Sequence, residues 1–235
     1  MGGGIFASNK VDVTANVPLT NNTAEIGGGL AALGTGADIK TSVTIASNVE
    51  SNTAKYGGGV YAGAYSEVTI ENANLQDNTA VYGGGAYIDC LKNGDTAAPI
   101  NPGDADNLGT DDKGSYGKLI LTNAKVNNNH LTLDSDGETS GFGGGVYNRG
   151  DLLLNKGAYA SGNDRLYLEK DHLVTLGDDY AAKGQSIEDK LTINSRVTEL
   201  KTNIIQMAND NQFKALLTKG KELTTHYQNI PMALS

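Results

Sequence analysis

The triplet Gly-Gly-Gly constrains this chain more than any other feature. It occurs at 2–4, 27–29, 57–59, 83–85 and 143–145, at spacings of 25, 30, 26 and 60 residues. An apolar residue and then, in most units, an aromatic one follow each triplet: Ile5-Phe6, Leu30-Ala31, Val60-Tyr61, Ala86-Tyr87 and Val146-Tyr147. Three triplets are preceded at constant offset by Asn22-Thr23-Ala24, Asn52-Thr53-Ala54 and Asn78-Thr79-Ala80. A large residue stands just before four of them: Ile26, Tyr56, Tyr82 and Phe142. A fixed period of this length is the signature of a stacked repeat architecture. Helical repeats need long amphipathic windows, and here glycine interrupts every unit.

Each unit also carries a short alternating run: Val11-Asp12-Val13, Val43-Thr44-Ile45, Val68-Thr69-Ile70, Leu119-Ile120-Leu121 and Leu152-Leu153-Leu154. Alternation over a few residues marks a strand with one buried face. The unit then reads as three short strands with turns, one coil of a parallel β-helix. Neighbouring rungs pair at about 4.8 Å, so equivalent positions stack in columns. The expected inward columns are Val13/Ile45/Ile70/Leu121/Leu154 and Val11/Val43/Val68/Leu119/Leu152, with Ile26/Tyr56/Tyr82/Phe142 as a third. Asn22, Asn52 and Asn78 should form an amide ladder at a turn. Crossover geometry predicts a right-handed coil.

The spacing of 60 predicts a partly hidden unit, visible as strand 118–122 and Asn127-Asn128-Asn129. It also predicts insertions at 89–117 and 131–141, and a smaller one at Gly34–Lys40. Polar insertions in a solenoid project as loops. The repeat decays after 154, with final strands at Arg165–Leu168 and Leu173–Leu176. The reading is therefore all-β: six or seven rungs over 1–178, then a small mixed or α-helical C-terminal segment over 179–235. Val197, Leu200, Ile204 and Met207 recur at helical spacing, as do Phe213, Leu216 and Leu217, ended by Gly220. Leu191-Thr192-Ile193 fits a last strand instead. Because the sequence starts on a triplet, inside a repeat, a piece of a longer array is expected.

Composition excludes several classes. The chain has 235 residues and a net charge of −9. An acidic chain does not track phosphates, so nucleic acid is not an expected partner. No run of apolar residues is long enough for a membrane-spanning helix, and no signal peptide is visible. The single cysteine, Cys90, excludes an internal disulfide.

These motifs resemble the repeats of bacterial surface adhesins with right-handed parallel β-helices. The polymorphic outer-membrane proteins, with Gly-Gly-Ala-Ile and Phe-x-x-Asn tetrapeptides, are one branch. Large cell-surface proteins of anaerobic bacteria, with Gly-Gly-Gly-Val-Tyr-Asn repeats, are closer. Gly162-Asn163-Asp164-Arg165-Leu166-Tyr167-Leu168 followed by Leu173-Val174-Thr175-Leu176 is similar to the way such repeats end. The resemblance covers about 1–178. It implies an extracellular, non-enzymatic adhesin whose partners are host glycan, host surface protein or neighbouring bacterial cells.

Side chains alternate faces along a strand. If Val60, Ala86 and Val146 point inward, then Tyr61, Tyr87, Tyr147 and Phe6 form an exposed aromatic column, a candidate ligand-binding face. The alternatives are that other segments cover the rings, or that the parity is reversed. Asp104-Ala105-Asp106-Asn107-Leu108-Gly109 starts like a calcium loop, and Asp111 and Asp112 add carboxylates. It lacks the oxygen ligand expected at 108 and the Glu expected at 115. Solvated loops are the competing reading, and calcium is the only cofactor considered. No catalytic residue is assigned. The strands show no paired carboxylates on adjacent rungs of the kind a glycosidase needs, and the chain has only Arg149, Arg165 and Arg196. His130, His172 and His226 show no metal spacing. The triplets open strands rather than helices, so they are corners and not phosphate loops. A polysaccharide-processing enzyme and a purely structural stalk are the alternatives.

Overall fold

Each repeat unit forms one rung of stacked parallel strands. The computed structural model describes residues 1–90, 116–133, 137, 141–162, 166–169, 172–177, 180, 192–195, 205–207 and 224–227. Every regular element among them is a strand, numbered in chain order. The first sheet orders β1 (Ile5–Ser8), β4 (Leu30–Leu33), β8 (Val60–Ala62), β12 (Ala86–Ile88), β15 (Val146–Asn148), β18 (Leu166–Leu168), β20 (Thr192–Ser195) and β22 (Thr224–Tyr227) side by side. The second orders β2 (Asp12–Ala15), β5 (Thr41–Ile45), β9 (Ser66–Glu71), β13 (Lys118–Thr122), β16 (Asp151–Asn155), β19 (Val174–Leu176) and β21 (Ile205–Met207). The third runs β3 (Leu19–Thr20), β6 (Val49–Glu50), β10 (Asn74–Gln76), β14 (Lys125–Leu131), β11 (Thr79–Tyr82) and β7 (Thr53–Tyr56), with β17 (Tyr159–Gly162) also on β14. All inter-rung ladders are parallel, the pattern of a β-helix-like stack.

The aliphatic columns form, with one correction. Val13, Val43, Val68, Leu119, Leu152 and Val174 are register partners, as are Ala15, Ile45, Ile70, Leu121, Leu154 and Leu176. The first rung is thus shifted by two residues from the expected register, and Val11 is 38% exposed. Val11-Asp12-Val13-Thr14-Ala15 alternates over its whole length, so both registers satisfied the pattern. Hydrogen bonding selects one: Ser42 N–H donates to the Val11 carbonyl at 2.9 Å, and Ala15 fills the column.

The Asn ladder is present and one rung longer than expected. The side-chain amide of Asn22 donates to Asn52 Oδ1 at 2.9 Å, Asn52 to Asn78 Oδ1 at 3.0 Å, and Asn78 to Asn129 Oδ1 at 3.0 Å. Each Oδ1 also accepts the backbone N–H of the previous ladder residue. A left-handed residue precedes every member: Asn21, Ser51, Asp77 and Asn128 have φ between 52° and 57°. Short polar side chains tolerate that conformation better than most. The turn column and the amide column are therefore one device.

The long spacing hides no separate rung. Gly84 N–H donates to the Gly143 carbonyl and Gly85 N–H to Gly144, both at 3.0 Å, so triplets 83–85 and 143–145 are direct neighbours. Strand 118–122 and Asn127–Asn129 belong to the rung opened by triplet 83–85. The C-terminal reading is corrected too. Ile205–Met207 pairs with β19, and Thr192–Ser195 and Thr224–Tyr227 extend the first sheet. Of the residues at helical spacing, Met207 lies in a strand, where it is the register partner of Leu176, and Val197, Leu200 and Ile204 lie outside the described residues. The expected last strand at Leu191-Thr192-Ile193 is found at Thr192–Ser195. Phe213, Leu216 and Leu217 lie outside the described residues.

Candidate functional site

The triplets build a corner that gathers aromatic rings outside the main core. Gly57 has φ +64°, and a Cβ on Gly58 would stand 2.3 Å from the Gly84 carbonyl oxygen. The triplets bond to each other: Gly57 N–H reaches the Tyr82 carbonyl at 2.9 Å and Gly58 N–H the Gly83 carbonyl at 3.0 Å. On either side of this corner the residue before the triplet and the second residue after it face each other. Val60, Ala86 and Val146 enter the main aliphatic core, as the parity predicts. Ile26, Tyr56, Tyr61, Tyr87, Tyr147 and Tyr167 form a second cluster, with Tyr82 and Phe142 packed against it. The column Ile26/Tyr56/Tyr82/Phe142 therefore does not line the main core as expected.

The rings stack at nearly the strand spacing. Tyr61 and Tyr87 are 5.8 Å apart at 13°, Tyr87 and Tyr147 4.8 Å at 2°, and Tyr147 and Tyr167 5.1 Å at 18°. Edge contacts tie the second column to the first, Tyr56 to Tyr87 at 5.6 Å and Tyr82 to Tyr147 at 6.1 Å. These separations match favourable aromatic pairing. The exposed aromatic face expected from sequence is corrected by burial. Tyr61 is 2% exposed and Tyr87 and Tyr147 are 0%, while Phe6, at the first rung, is 50% exposed. Alternation gave the side of the strand, but the corner folds a second row of rings over that side.

A charged column runs beside the tyrosines. Asp89, Arg149 and Glu169 follow Tyr87, Tyr147 and Tyr167 by two residues and so share their face. Backbone bonds fix the stacking: Asp89 N–H donates to Ala62, Arg149 N–H to Ile88 and Glu169 N–H to Asn148. All three side chains are buried, at 2%, 1% and 3% exposure. The sequence of charges is negative, positive, negative. Arg149 Nη1 lies 3.5 Å from Asp89 Oδ1. Each phenol reaches the charged residue of the next rung: Tyr61 donates to Asp89 Oδ2 at 2.8 Å, Tyr87 bonds Arg149, and Tyr147 donates to Glu169. In the position before Asp89 stands Gly63, where a Cβ would be 2.7 Å from the Tyr61 ring.

Burial raises the phenol pKa of Tyr61 and Tyr87 well above the usual range, with the Asp89 charge next in importance. Tyr147 is raised by burial, then by Tyr87 and Glu169. Burial disfavours the Arg149 cation, but Tyr87, Asp89 and Cys90 outweigh it and keep the guanidinium charged. Cys90 is buried, its Sγ 3.7 Å from Arg149 Nη2. The neck of the large insertion lies here, since Cys90 and Tyr116 form an antiparallel bridge and Gly117 N–H donates to the Asp89 carbonyl at 2.7 Å. Tyr116 packs edge-on against His172 at 5.4 Å, and His172 Nδ1 is 3.2 Å from the Gly150 carbonyl.

Asp104, Asp106, Asp111 and Asp112, the candidate calcium ligands, lie outside the described residues. Among the described residues no three His, Cys, Asp or Glu side chains are grouped to hold a metal ion. Asp89 and Glu169 do not stand out in the sequence, and Arg149 does so only as one of three arginines. The signal was available as Tyr-x-charge in three successive units: Tyr87-Ile88-Asp89, Tyr147-Asn148-Arg149 and Tyr167-Leu168-Glu169. The charged side chains are enclosed and link successive rungs. No family model, curated protein or solved structure matches this chain.

Proposed function

We propose that the chain is a non-enzymatic segment of a bacterial cell-surface adhesin, an extracellular right-handed β-helix that carries ligand-binding insertions on a stiff rod. The right-handed sense follows from the strong preference of parallel crossovers. The observation that carries the reading is the placement of the two insertions. One leaves after β12 through the Cys90–Tyr116 neck, and the other leaves after Leu131 and returns just before triplet 143–145, which opens β15. β12 and β15 are register partners, so both insertions border one strand pair while the rungs beneath stay in register. With the tyrosines enclosed, contact with host glycan, host protein or neighbouring cells falls to these insertions. Multivalent weak contacts suit a repeat rod.

The test is binding of the intact chain to a glycan array and to epithelial cells, beside a variant in which residues 91–115 are replaced by a short Gly-Asn-Gly link. Binding that disappears in the variant supports the adhesin. Equal binding by both overturns the role of this insertion, and binding by neither favours the stalk.

A further inference from the structure

We propose that the buried tyrosine column is an oxidative cross-linking site, in which a one-electron oxidant joins Tyr147 to Tyr87 as dityrosine and staples two rungs covalently. Cys90 is the only cysteine, so no disulfide can do this within the chain. Two rings on successive rungs are parallel within 2° at 4.8 Å, the closest tyrosine pair in the column. The phenol of one of them, Tyr147, donates to the buried Glu169 carboxylate. Oxidising a phenol expels its proton, and a carboxylate already accepting its hydrogen bond can take that proton, so a neutral radical forms with no new charge in the buried cluster. Tyr61 has the same arrangement with Asp89, but its ring is 5.8 Å from Tyr87.

Both rings are enclosed, so the oxidising equivalent must arrive through another ring. Tyr82 supplies the route: it is half-buried and makes an edge contact with Tyr147 at 6.1 Å. In the reaction Tyr147 loses one electron to the oxidant through Tyr82 and its phenolic proton to Glu169. A ring carbon beside the Tyr147 oxygen bonds to the matching carbon of Tyr87. A second electron then leaves to the oxidant, and both rings regain aromatic phenols. Overall two C–H bonds break, one C–C bond forms, two protons leave and two electrons reach the oxidant.

The test irradiates the dilute intact chain with tris(bipyridine)ruthenium and persulfate, then maps dityrosine by fluorescence and by mass spectrometry of the digested monomer. The expected product joins the peptides of Tyr87 and Tyr147 and is lighter by two hydrogens. It is lost in Tyr147→Phe, which keeps the stacked ring, and in wild-type chain irradiated in denaturant. Glu169→Gln keeps the shape but removes the base, and lowers the yield severalfold at unchanged circular dichroism. Cross-links confined to the less buried Tyr65, Tyr82 and Tyr159, or a Tyr87–Tyr147 yield equal in folded and denatured chain, overturn the proposal.

Discussion

Arg149 sits one rung beyond Asp89 in the same column, Nη1 to Oδ1 3.5 Å, with both side chains at least 97% removed from solvent. Such a pair gains little over apolar residues, yet breaking it strands a charge, at a cost of about 3–5 kcal/mol. Arg149→Met is expected to lower stability by about that amount, since the buried Asp89 carboxylate loses its cation while the Tyr61 hydroxyl and the Cys90 N–H still donate to it. Adding Asp89→Asn should recover much of the loss. Urea unfolding of the intact chain, followed by circular dichroism, checks both.

The amide ladder makes a second prediction. Asn78→Ala removes the Oδ1 that accepts both the backbone N–H and the side-chain amide of Asn52. A buried group left without a partner costs about 1–3 kcal/mol. Hydrogen exchange at the Asn52 backbone amide should accelerate far more than exchange at Val43, which lies in another sheet.

Glycine at the corner is a steric requirement. Gly58→Ala would place a methyl 2.3 Å from the Gly84 carbonyl oxygen, and backbone cannot yield as a side-chain tip does. A clear drop in melting temperature is expected. Gly36→Ala is the control, because a Cβ there meets nothing within 4 Å.

The tyrosine column should make the protein sensitive to alkali. Tyr61, Tyr87 and Tyr147 have folded pKa values raised above 10.0, chiefly by burial. The native state therefore holds its phenolic protons more tightly than the unfolded chain. That contribution is intact below pH 10 and is lost as pH rises beyond it. Phenolate absorbance should show Tyr61, Tyr87 and Tyr147 ionising together with loss of the β signal.

Much of the rod was legible because its signals are local and repeated. The triplets, the alternating runs and Asn52 and Asn78 each report on one rung, and stacking multiplies the same report. What one rung cannot report is how faces close. Tyr87 alternates away from the core as read, but its burial depends on Tyr56 coming round the glycine corner. Val11 and Val13 alternate equally well, and only pairing with Ser42 and Val43 distinguishes them. Met207 fits a helical spacing until its neighbour Leu176 is known. Asp89, Arg149 and Glu169 were hidden by their differing charges, although they share one position relative to tyrosine.

Spin-label distances test the stacking most directly. Thr14, Thr44, Thr69, Ile120, Leu153 and Thr175 are successive register partners on the second sheet. In a Cys90→Ser background, labels at Thr14 and Ile120 span three rung steps and labels at Thr14 and Thr175 span five. At about 4.8 Å per step, the two electron–electron separations should be narrow and differ by about 10 Å. Equal separations, or broad distributions without that increment, would mean these positions do not climb one stack, and the fold described above would be wrong.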